Sequence, residues 1–240
     1  MTLRSPIVSV LGHVDHGKSS ILDAIRESNI VATEAGHITQ AIGASIIPTS
    51  AIIQRFGDLI KTMGFSLTLP GILFIDTPGH AAFTTLRKRG GSLADLAVLA
   101  VDINEGFKPQ TKEAVEILRN AKTPFIIAAN KIDLAPGFEA KKGTLLDVLN
   151  AQPSNVQSYL DTKLYEIVGT LYENFQLTAE RFDRIEDFTK TLAIVPCSAK
   201  TKTGIPELIV LIAGLAQRFL EKNLHITTNA PAKGTILEVK

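Results

Sequence analysis

A loop rich in glycine and charged residues lies near the amino end of the chain. Residues 12–19 read Gly-His-Val-Asp-His-Gly-Lys-Ser and match the phosphate-binding pattern G-x-x-x-x-G-K-[ST]. In such a loop, backbone amides surround anionic oxygens, the lysine ammonium lies between the β- and γ-phosphates, and the serine hydroxyl can bind Mg²⁺. The pattern predicts nucleotide binding by six consecutive residues, namely Asp15, His16, Gly17, Lys18, Ser19 and Ser20.

A second polar cluster, Asp76-Thr77-Pro78-Gly79, follows an apolar run of strand length. In a phosphate-loop protein an aspartate at that place is the expected second anchor for Mg²⁺, often through water. The backbone amide of Gly79 can reach a γ-phosphate and release it after hydrolysis. We therefore predict that Asp76 and Ser19 hold Mg²⁺ and that Gly79 contacts the γ-phosphate.

A third cluster, Asn130-Lys131-Ile132-Asp133, has the composition of a base-recognition site. Guanine presents two donors side by side, the ring N1–H and the exocyclic amine, and one carboxylate can accept both, whereas adenine offers no such pair. We expect Asp133 to accept these donors. Asn130 can bridge to the phosphate loop, and the Lys131 stem can cover the plane of the base.

A fourth cluster, Ser198-Ala199-Lys200, follows another apolar run. A backbone amide of this cluster can donate to guanine O6, and the Lys200 stem can cover the base from the other side. Because the four clusters occur in this order and each follows an apolar run, the sequence predicts a guanine nucleotide rather than an adenine nucleotide.

The elements that must position these clusters are short apolar strands alternating with helical segments. Continuous apolar strands indicate a mostly parallel sheet that is buried on both faces, and ligands of such sheets bind at the carboxyl ends of the strands. The predicted fold is therefore a doubly wound α/β domain. Its predicted strands are Ile7–Leu11, Ile72–Ile75, Leu96–Val101, Phe125–Ala129 and Ala193–Val195, and its predicted helices lie at 19–25, 83–89, 110–120 and 207–221, the last with Leu208, Leu211, Leu215 and Phe219 on its apolar stripe.

Three further segments go beyond a minimal α/β unit. Residues 51–63 are predicted to be helical, and residues 65–69 alternate like an edge strand. Residues 137–192 are predicted to be a helical insertion on the flank, either a structural embellishment or a surface that docks a partner. A polar linker begins at His225, and residues 234–240 alternate like the first strand of a second domain. We therefore expect a nucleotide-binding domain over 1–224 and the start of another over 225–240.

The composition excludes several classes of protein. The chain has 240 residues, with 25 basic and 24 acidic side chains, so its net charge of +1 gives no argument for a nucleic-acid or membrane partner through the whole-chain field. The single cysteine, Cys197, excludes an internal disulfide and is expected to be an inert buried thiol. No run approaches a membrane helix, and charges interrupt the first 20 residues before a signal-peptide core could form. We expect a cytoplasmic, monomeric chain without a membrane partner.

These motifs together resemble the translational GTPases, which have a Ras-like phosphate-loop fold. The phosphate loop and the stretch Asp-Thr-Pro-Gly-His at 76–80 are typical of factors that act on the ribosome. Residues 34–44 resemble the first switch of bacterial initiation factor two and archaeal–eukaryotic initiation factor five-B. Residues 83–91 and 102–111 favour the archaeal–eukaryotic branch, and the resemblance covers residues 5–240.

The resemblance implies several residue roles. Thr39 matches the switch threonine that binds Mg²⁺ when GTP is bound, and His80 matches the histidine that orients the attacking water. Val14 and Ile38 correspond to the apolar pair that gates this histidine. Asp15 corresponds to a position proposed to hold a monovalent cation, Na⁺ or K⁺, near the phosphates. One departure is His37, which stands where the family usually has a second glycine.

The function that the resemblance implies is GTP hydrolysis late in ribosomal subunit joining. The implied partners are the ribosome, with large-subunit RNA near the switches, and initiator tRNA only through domains C-terminal to this chain. The cluster Arg87-Lys88-Arg89 is either a contact with RNA phosphates or a solvated helix end. We expect slow hydrolysis by the domain alone. Two alternatives stay open: a binding module controlled by its nucleotide, with incidental hydrolysis, and an elongation or tRNA-carrying initiation factor.

Overall fold

The computed structural model describes residues 2–28, 43–76 and 94–226. Seven strands form one sheet, and two short strands at the ends of the described chain form a separate antiparallel pair. The strands are β1 (Thr2–Leu3), β2 (Ile7–Gly12), β3 (Gly43–Pro48), β4 (Gly71–Asp76), β5 (Leu96–Asp102), β6 (Phe125–Asn130), β7 (Ala179–Arg181), β8 (Leu192–Pro196) and β9 (His225–Ile226).

The large sheet has the strand order β3-β4-β2-β5-β6-β8-β7, and only the β3–β4 pair is antiparallel. The chain moves from β2 toward one edge and then from β5 toward the other. The order therefore reverses beside β2, and in doubly wound sheets the ligand site lies at such a reversal, at the carboxyl ends of the strands. The predicted fold class is confirmed.

The helices cover the sheet and account for most of the remaining described residues. The helix Lys18–Ser28 packs on β2 and β4 and also contacts the helix Ile205–Leu215. The latter packs in turn on the helix Thr49–Thr62. The helices are α1 (Lys18–Ser28), α2 (Thr49–Thr62), α3 (Pro109–Asn120), α4 (Leu145–Asn150), α5 (Ser154–Phe175), α6 (Ile205–Leu215) and α7 (Glu221–Leu224), with a π-helical turn over Ala216–Leu220.

The central strands form the core. Every residue of β5 and β6 is buried, as expected for parallel strands covered on both faces. At the carboxyl end of this strand pair, Asp102 lies opposite Asn130 in the register. The core therefore fixes the positions of two polar residues next to the predicted base site. Among the described residues, no helix combines the length and the apolar content needed to cross a membrane.

The predicted edge strand at 65–69 is wrong, and the strands at the two edges of the sheet are β3 and β7. The side-chain oxygen of Gln217 accepts the backbone amides of Thr68 and Leu69 at 2.9 and 3.0 Å, so these donors are not available to a strand ladder. Leu69 is buried with Ala216 and Leu224. Leu69 therefore packs onto the carboxyl-terminal helical segment, and residues 65–69 lie outside the sheet.

The segment 137–192 is not purely helical. It contains α4 and α5, but β7 pairs in parallel with β8 and thereby extends the large sheet by one strand. The apolar side chains of α5 that are buried include Val156, Leu160, Leu164, Ile167 and Leu171. The strand was missed because its sequence, Ala-Glu-Arg, has no apolar run.

The predicted amphipathic helix over 207–221 also differs from the structure. The helix α6 is buried on nearly all sides, including Glu207, while Phe219 is 41% exposed in the π-helical turn. The helix α6 contacts both α1 and α2, which explains why its own sequence is apolar almost throughout. His225 and Ile226 pair with Leu3 and Thr2. The predicted helix at 83–89, the linker beyond Ile226 and the strand at 234–240 lie outside the described residues.

Candidate functional site

The phosphate loop joins β2 to α1 and depends on unusual backbone conformations. Gly12, Asp15 and Gly17 have positive φ values of 145°, 66° and 82°. A Cβ atom on Gly12 would collide with the carbonyl oxygen of Ala100, and one on Gly17 would collide with the side-chain amide of Asn130. Glycine is therefore required at both positions, because conformation and space each exclude a side chain.

The helix α1 begins at Lys18, directly after this loop. The Lys18 ammonium donates to the backbone carbonyl of His13 at 2.6 Å, across the loop. Ser19 and Ser20 lie exposed in the first turn, which contains no acidic residue. The amino end of a helix attracts anions through its free amides and its dipole, and here no carboxylate competes with phosphate.

A residue that the sequence analysis did not single out holds the outer part of the loop. The side-chain oxygen of Gln110, in the first turn of α3, lies 2.7 Å from His13 Nδ1 and accepts the Val14 amide at 3.4 Å. Because this oxygen accepts the amide, we assign the proton of the imidazole to Nδ1. Gln110 follows a proline in a helical segment, and no local pattern in the sequence connects it to residues almost a hundred positions earlier.

His16 turns its ring into the protein instead of toward the solvent. The ring is 1% exposed and lies edge-on to that of His13, with 5.1 Å between the centroids. Burial lowers the pKa of the His16 imidazole, and this effect outweighs the carboxylates of Asp102 and Glu105. The ring is therefore neutral near pH 7, and its part in the phosphate loop is played by the backbone.

Asn130 joins the phosphate loop to the loop after β8. Its Nδ2 donates to the carbonyl of His16 at 3.1 Å, and its Oδ1 accepts the amide of Ala199 at 3.1 Å. The residue is 2% exposed. The predicted bridge from Asn130 to the phosphate loop is present. One buried side chain thus connects three of the four clusters.

The loop at 198–200 is stabilised by its own contacts. Ser198 donates its amide to the carbonyl of Thr203 at 2.9 Å and accepts the amide of Thr201 at 3.1 Å through its hydroxyl. The amide of Ala199 is the one engaged by Asn130. A guanine O6 atom would therefore share this donor with Asn130 or use the amide of Lys200, a constraint that the sequence pattern did not contain.

Lys131 and Asp133 follow directly after β6. Lys131 has a left-handed backbone with φ of 66°, and the short 3-10 turn Ile132–Leu134 begins behind it. The Ile132 amide donates to the carbonyl of Cys197 at 3.2 Å, which keeps the turn beside the 198–200 loop. Asp133 is half-buried in this turn. The two predicted base-recognition loops are therefore neighbours in the structure.

The Lys131 ammonium contacts Asp102 Oδ2 at 2.8 Å, and this carboxylate is almost completely buried. Burial by itself raises the pKa of Asp102, but the Lys131 ammonium and the backbone amide of Asn104 lower it more, so that the carboxyl pKa lies below its usual value. Asp102 is therefore ionised at neutral pH and holds the lysine. This ion pair was not predicted from the sequence.

Asp76 ends β4, which is the parallel neighbour of β2. This register brings Asp76 to the same edge of the sheet as the phosphate loop, as predicted from the apolar run that precedes it. Other predicted site residues lie outside the described part of the chain: Thr39, Gly79, His80, the gating residue Ile38 and the basic cluster Arg87-Lys88-Arg89.

Comparison with known proteins identifies the class to which this fold and site belong. Residues 3–218 match the family model of the elongation factor Tu GTP-binding domain. The chain belongs to this family of GTP-binding domains.

Within this family the chain is similar to archaeal initiation factors. It is 57% identical over 240 residues to a probable translation initiation factor IF-2 of Thermococcus onnurineus, and 56% identical over 242 residues to that of Methanobrevibacter smithii. These matches cover 99% and 100% of this chain but 40% of each relative. The chain thus spans about two fifths of their length, and the predicted resemblance to the initiation factor two and five-B group is confirmed.

Two solved structures are also similar to this chain. The crystal structure of GDP-bound aIF5B from Aeropyrum pernix has a TM-score of 0.85 and 52% identity, over 94% of this chain and 38% of that one. Translation elongation factor SelB from Methanococcus maripaludis, solved with the GTP analogue GppNHp, has a TM-score of 0.52 and 24% identity, over 97% of this chain and 37% of that one. The second likeness shows the fold alone.

Proposed function

We propose that this chain binds GTP and GDP between the phosphate loop and the loops at 130–133 and 198–200, and hydrolyses GTP as part of a translation initiation factor that promotes ribosomal subunit joining. The observation that carries the proposal is Asn130, whose buried amide joins the phosphate loop to the 198–200 loop. A single ligand that contacts both the phosphate loop and the base loops fits this arrangement.

The donor set fits Mg²⁺. Ser19 has an exposed hydroxyl in the first turn of α1, and Asp76 ends the neighbouring strand. Hydroxyl and carboxylate oxygens are ligands that Mg²⁺ prefers, and Thr39 would complete the protein's set. When bound, Mg²⁺ neutralises charge on the β- and γ-phosphates. Asp15, exposed in the loop with a left-handed backbone, is the proposed contact for Na⁺ or K⁺.

Hydrolysis of GTP needs positioning and charge neutralisation more than covalent chemistry. In the proposal Lys18 and the amides of the phosphate loop neutralise the phosphates, and Gly79 contacts the γ-phosphate. His80 orients the attacking water by a hydrogen bond rather than removing its proton in the ground state. The phosphate-loop and base motifs contain no arginine, so we expect slow turnover that the ribosome accelerates by aligning His80.

The proposed partners follow from the relatives. They are the ribosome, with large-subunit RNA near the switches, and initiator tRNA through domains outside this chain. We propose that the chain itself is monomeric and acts in the cytoplasm, where initiating ribosomes are found.

Substitution of Asp133 tests the base-recognition part of the proposal. We expect the parent chain to bind GDP with Mg²⁺ in calorimetry and to bind ADP and xanthosine diphosphate much more weakly. Asp133→Asn should lose affinity for GDP on the order of 100-fold, because two hydrogen bonds to a charged acceptor are removed, and should gain affinity for xanthosine diphosphate. Asp58→Asn, at an exposed aspartate of α2 outside the predicted nucleotide motifs, is the matched control.

The outcomes separate the parts of the proposal. Unchanged guanine preference in Asp133→Asn would contradict the assignment of Asp133. No heat from GDP with the folded parent chain would contradict the phosphate site as well. For hydrolysis, single-turnover assays on ribosomes with a full-length factor carrying this domain should show that His80→Ala abolishes the chemistry while binding is retained. If chemistry is retained, the catalytic role of His80 is wrong.

A further inference from the structure

The Lys131 side chain belongs to a chain of hydrogen-bonded groups that leads away from the nucleotide loops. Its ammonium contacts one oxygen of Asp102 at 2.8 Å. The other oxygen accepts the backbone amide of Asn104 at 2.9 Å and its side-chain amide at 3.2 Å. Because both carboxylate oxygens are engaged, the carboxylate that holds the lysine is itself fixed in direction.

Asn104 also holds the backbone of Lys131. Its Nδ2 donates to the Lys131 carbonyl at 3.2 Å. A lysine with a φ of 66° is in the left-handed region, which costs free energy for any residue with a Cβ atom and persists only where the surroundings enforce it. Asn104 therefore contacts the strained backbone of Lys131 and the counter-ion of its side chain at the same time.

A residue of α5 completes the hydrogen bonds of the Asn104 side-chain amide. The hydroxyl of Tyr159 donates to Asn104 Oδ1 at 3.0 Å. With Oδ1 bound to this hydroxyl, Nδ2 must face the Asp102 carboxylate and the Lys131 carbonyl. A flipped amide would turn an oxygen toward two acceptors, so Asp102 and the Lys131 carbonyl select the orientation in which Oδ1 accepts the Tyr159 hydroxyl.

We propose that Tyr159 is a positioning residue for nucleotide binding, which acts through Asn104 and Asp102 to hold the Lys131 side chain over the base. The inference rests on the proposed guanine-nucleotide function. Tyr159 packs half-buried against the core, so its hydroxyl has a fixed position. The segment 137–192 thereby contributes to the nucleotide site, a role that neither interpretation from the sequence contained.

The test compares Tyr159→Phe with Tyr172→Phe in the whole chain. Both tyrosines lie in α5, and Tyr172 is 60% exposed with no part in the network. The measurement is the dissociation rate of GDP carrying a methylanthraniloyl fluorophore, followed by stopped flow with excess GDP. Loss of one hydrogen bond should accelerate dissociation about two- to tenfold in Tyr159→Phe, while Tyr172→Phe should match the parent chain. Asn104→Ala, which removes the residue between Tyr159 and Asp102 in this network, should accelerate GDP dissociation at least as much.

A double-mutant cycle separates positioning of Lys131 from general stabilisation. If Tyr159 acts through the lysine, Tyr159→Phe should change the dissociation rate less than about 1.5-fold in a Lys131→Ala background, because residues that act through one another are not additive. Equal effects in both backgrounds would overturn the inference, as would a Tyr159→Phe rate equal to that of the parent chain. Failure of the parent chain to bind GDP would instead overturn the proposed function and the inference with it.

Discussion

The Asn130 side-chain amide donates to the His16 carbonyl at 3.1 Å, across 114 positions of sequence. The same side chain accepts the Ala199 amide. The phosphate loop, the 130–133 loop and the 198–200 loop are therefore held by one residue, and its removal should affect both folding and ligand binding.

Asn130→Ala should lower the free energy of unfolding by about 2–4 kcal/mol, because it leaves the buried His16 carbonyl and the half-buried Ala199 amide without their partner. We also expect a large loss of GDP affinity, since the loops are no longer held together. Urea unfolding and calorimetry measure the two effects. Asn120→Ala, at the exposed end of α3, serves as control. Equal stability of the two variants would show that the bridge contributes nothing.

Gln110 should support nucleotide binding from outside the phosphate loop. Gln110→Ala removes the acceptor of His13 and Val14, and we expect GDP affinity to fall about three- to tenfold from loss of these bonds. Gln110→Glu keeps an acceptor at this position and should retain most of the affinity. Titration of both variants with GDP measures their affinities. An affinity of Gln110→Ala equal to that of the parent chain would contradict a role of Gln110 in nucleotide binding.

Glu207 should make the stability depend on pH. Its carboxylate accepts the Leu145 amide at 2.6 Å, and burial raises the pKa of Glu207 above its ordinary value. The folded protein therefore binds this proton more tightly than the unfolded chain does. The resulting stabilisation is complete below the unfolded pKa and is lost as pH rises through the folded pKa.

Glu207→Gln keeps the acceptor and removes the titration. The unfolding free energy of the variant relative to the parent chain should therefore increase as pH rises from about 4.5 upward, which is the window set by the raised pKa. Urea unfolding at several pH values measures this difference in unfolding free energy. The contributions of the other carboxylates are the same in both proteins and cancel. Glu173→Gln, at an exposed position of α5, should show no such trend. A difference that is constant with pH would refute the assignment.

Cys197 should resist alkylation in the folded protein. It is completely buried at the end of β8, and burial raises the pKa of its thiol far above the ordinary value. Iodoacetamide at pH 8 should modify the chain only after unfolding, and then once, since there is one cysteine. Intact-mass measurement follows the reaction. GDP should slow modification further, because it stabilises the closed loops beside the thiol. Rapid labelling of the native chain would contradict this prediction.

The sequence predicted those parts of the fold and site that depend on local patterns. The strands β5 and β6 are continuous apolar runs, so their burial and parallel pairing could be inferred. Gly12 and Gly17 belong to a motif whose spacing reflects the loop conformation itself. Asp76 and Asn130 directly follow apolar residues within strands, and the topology of the sheet brings them to the same edge as the phosphate loop.

The parts that depend on distant contacts could not be inferred. Alternation at 65–69 suggested a strand, but Gln217, about 150 positions later, takes the donors that a strand would need. The strand β7 has no apolar run and exists because β8 offers it an edge. Gln110 and Asp102 act at the site through partners that the chain brings together only on folding.

The pairing of β1 with β9 determines where Ile226 lies relative to the phosphate loop. Thr2 and Leu3 precede the amino end of β2, and Ile226 is paired beside them, whereas the phosphate loop follows the carboxyl end of the same strand. Six residues of β2 separate the two ends by about 20 Å. The phosphate loop and the β1–β9 pair therefore lie at opposite ends of the buried strand β2, so a phosphate bound in the loop would not touch Ile226.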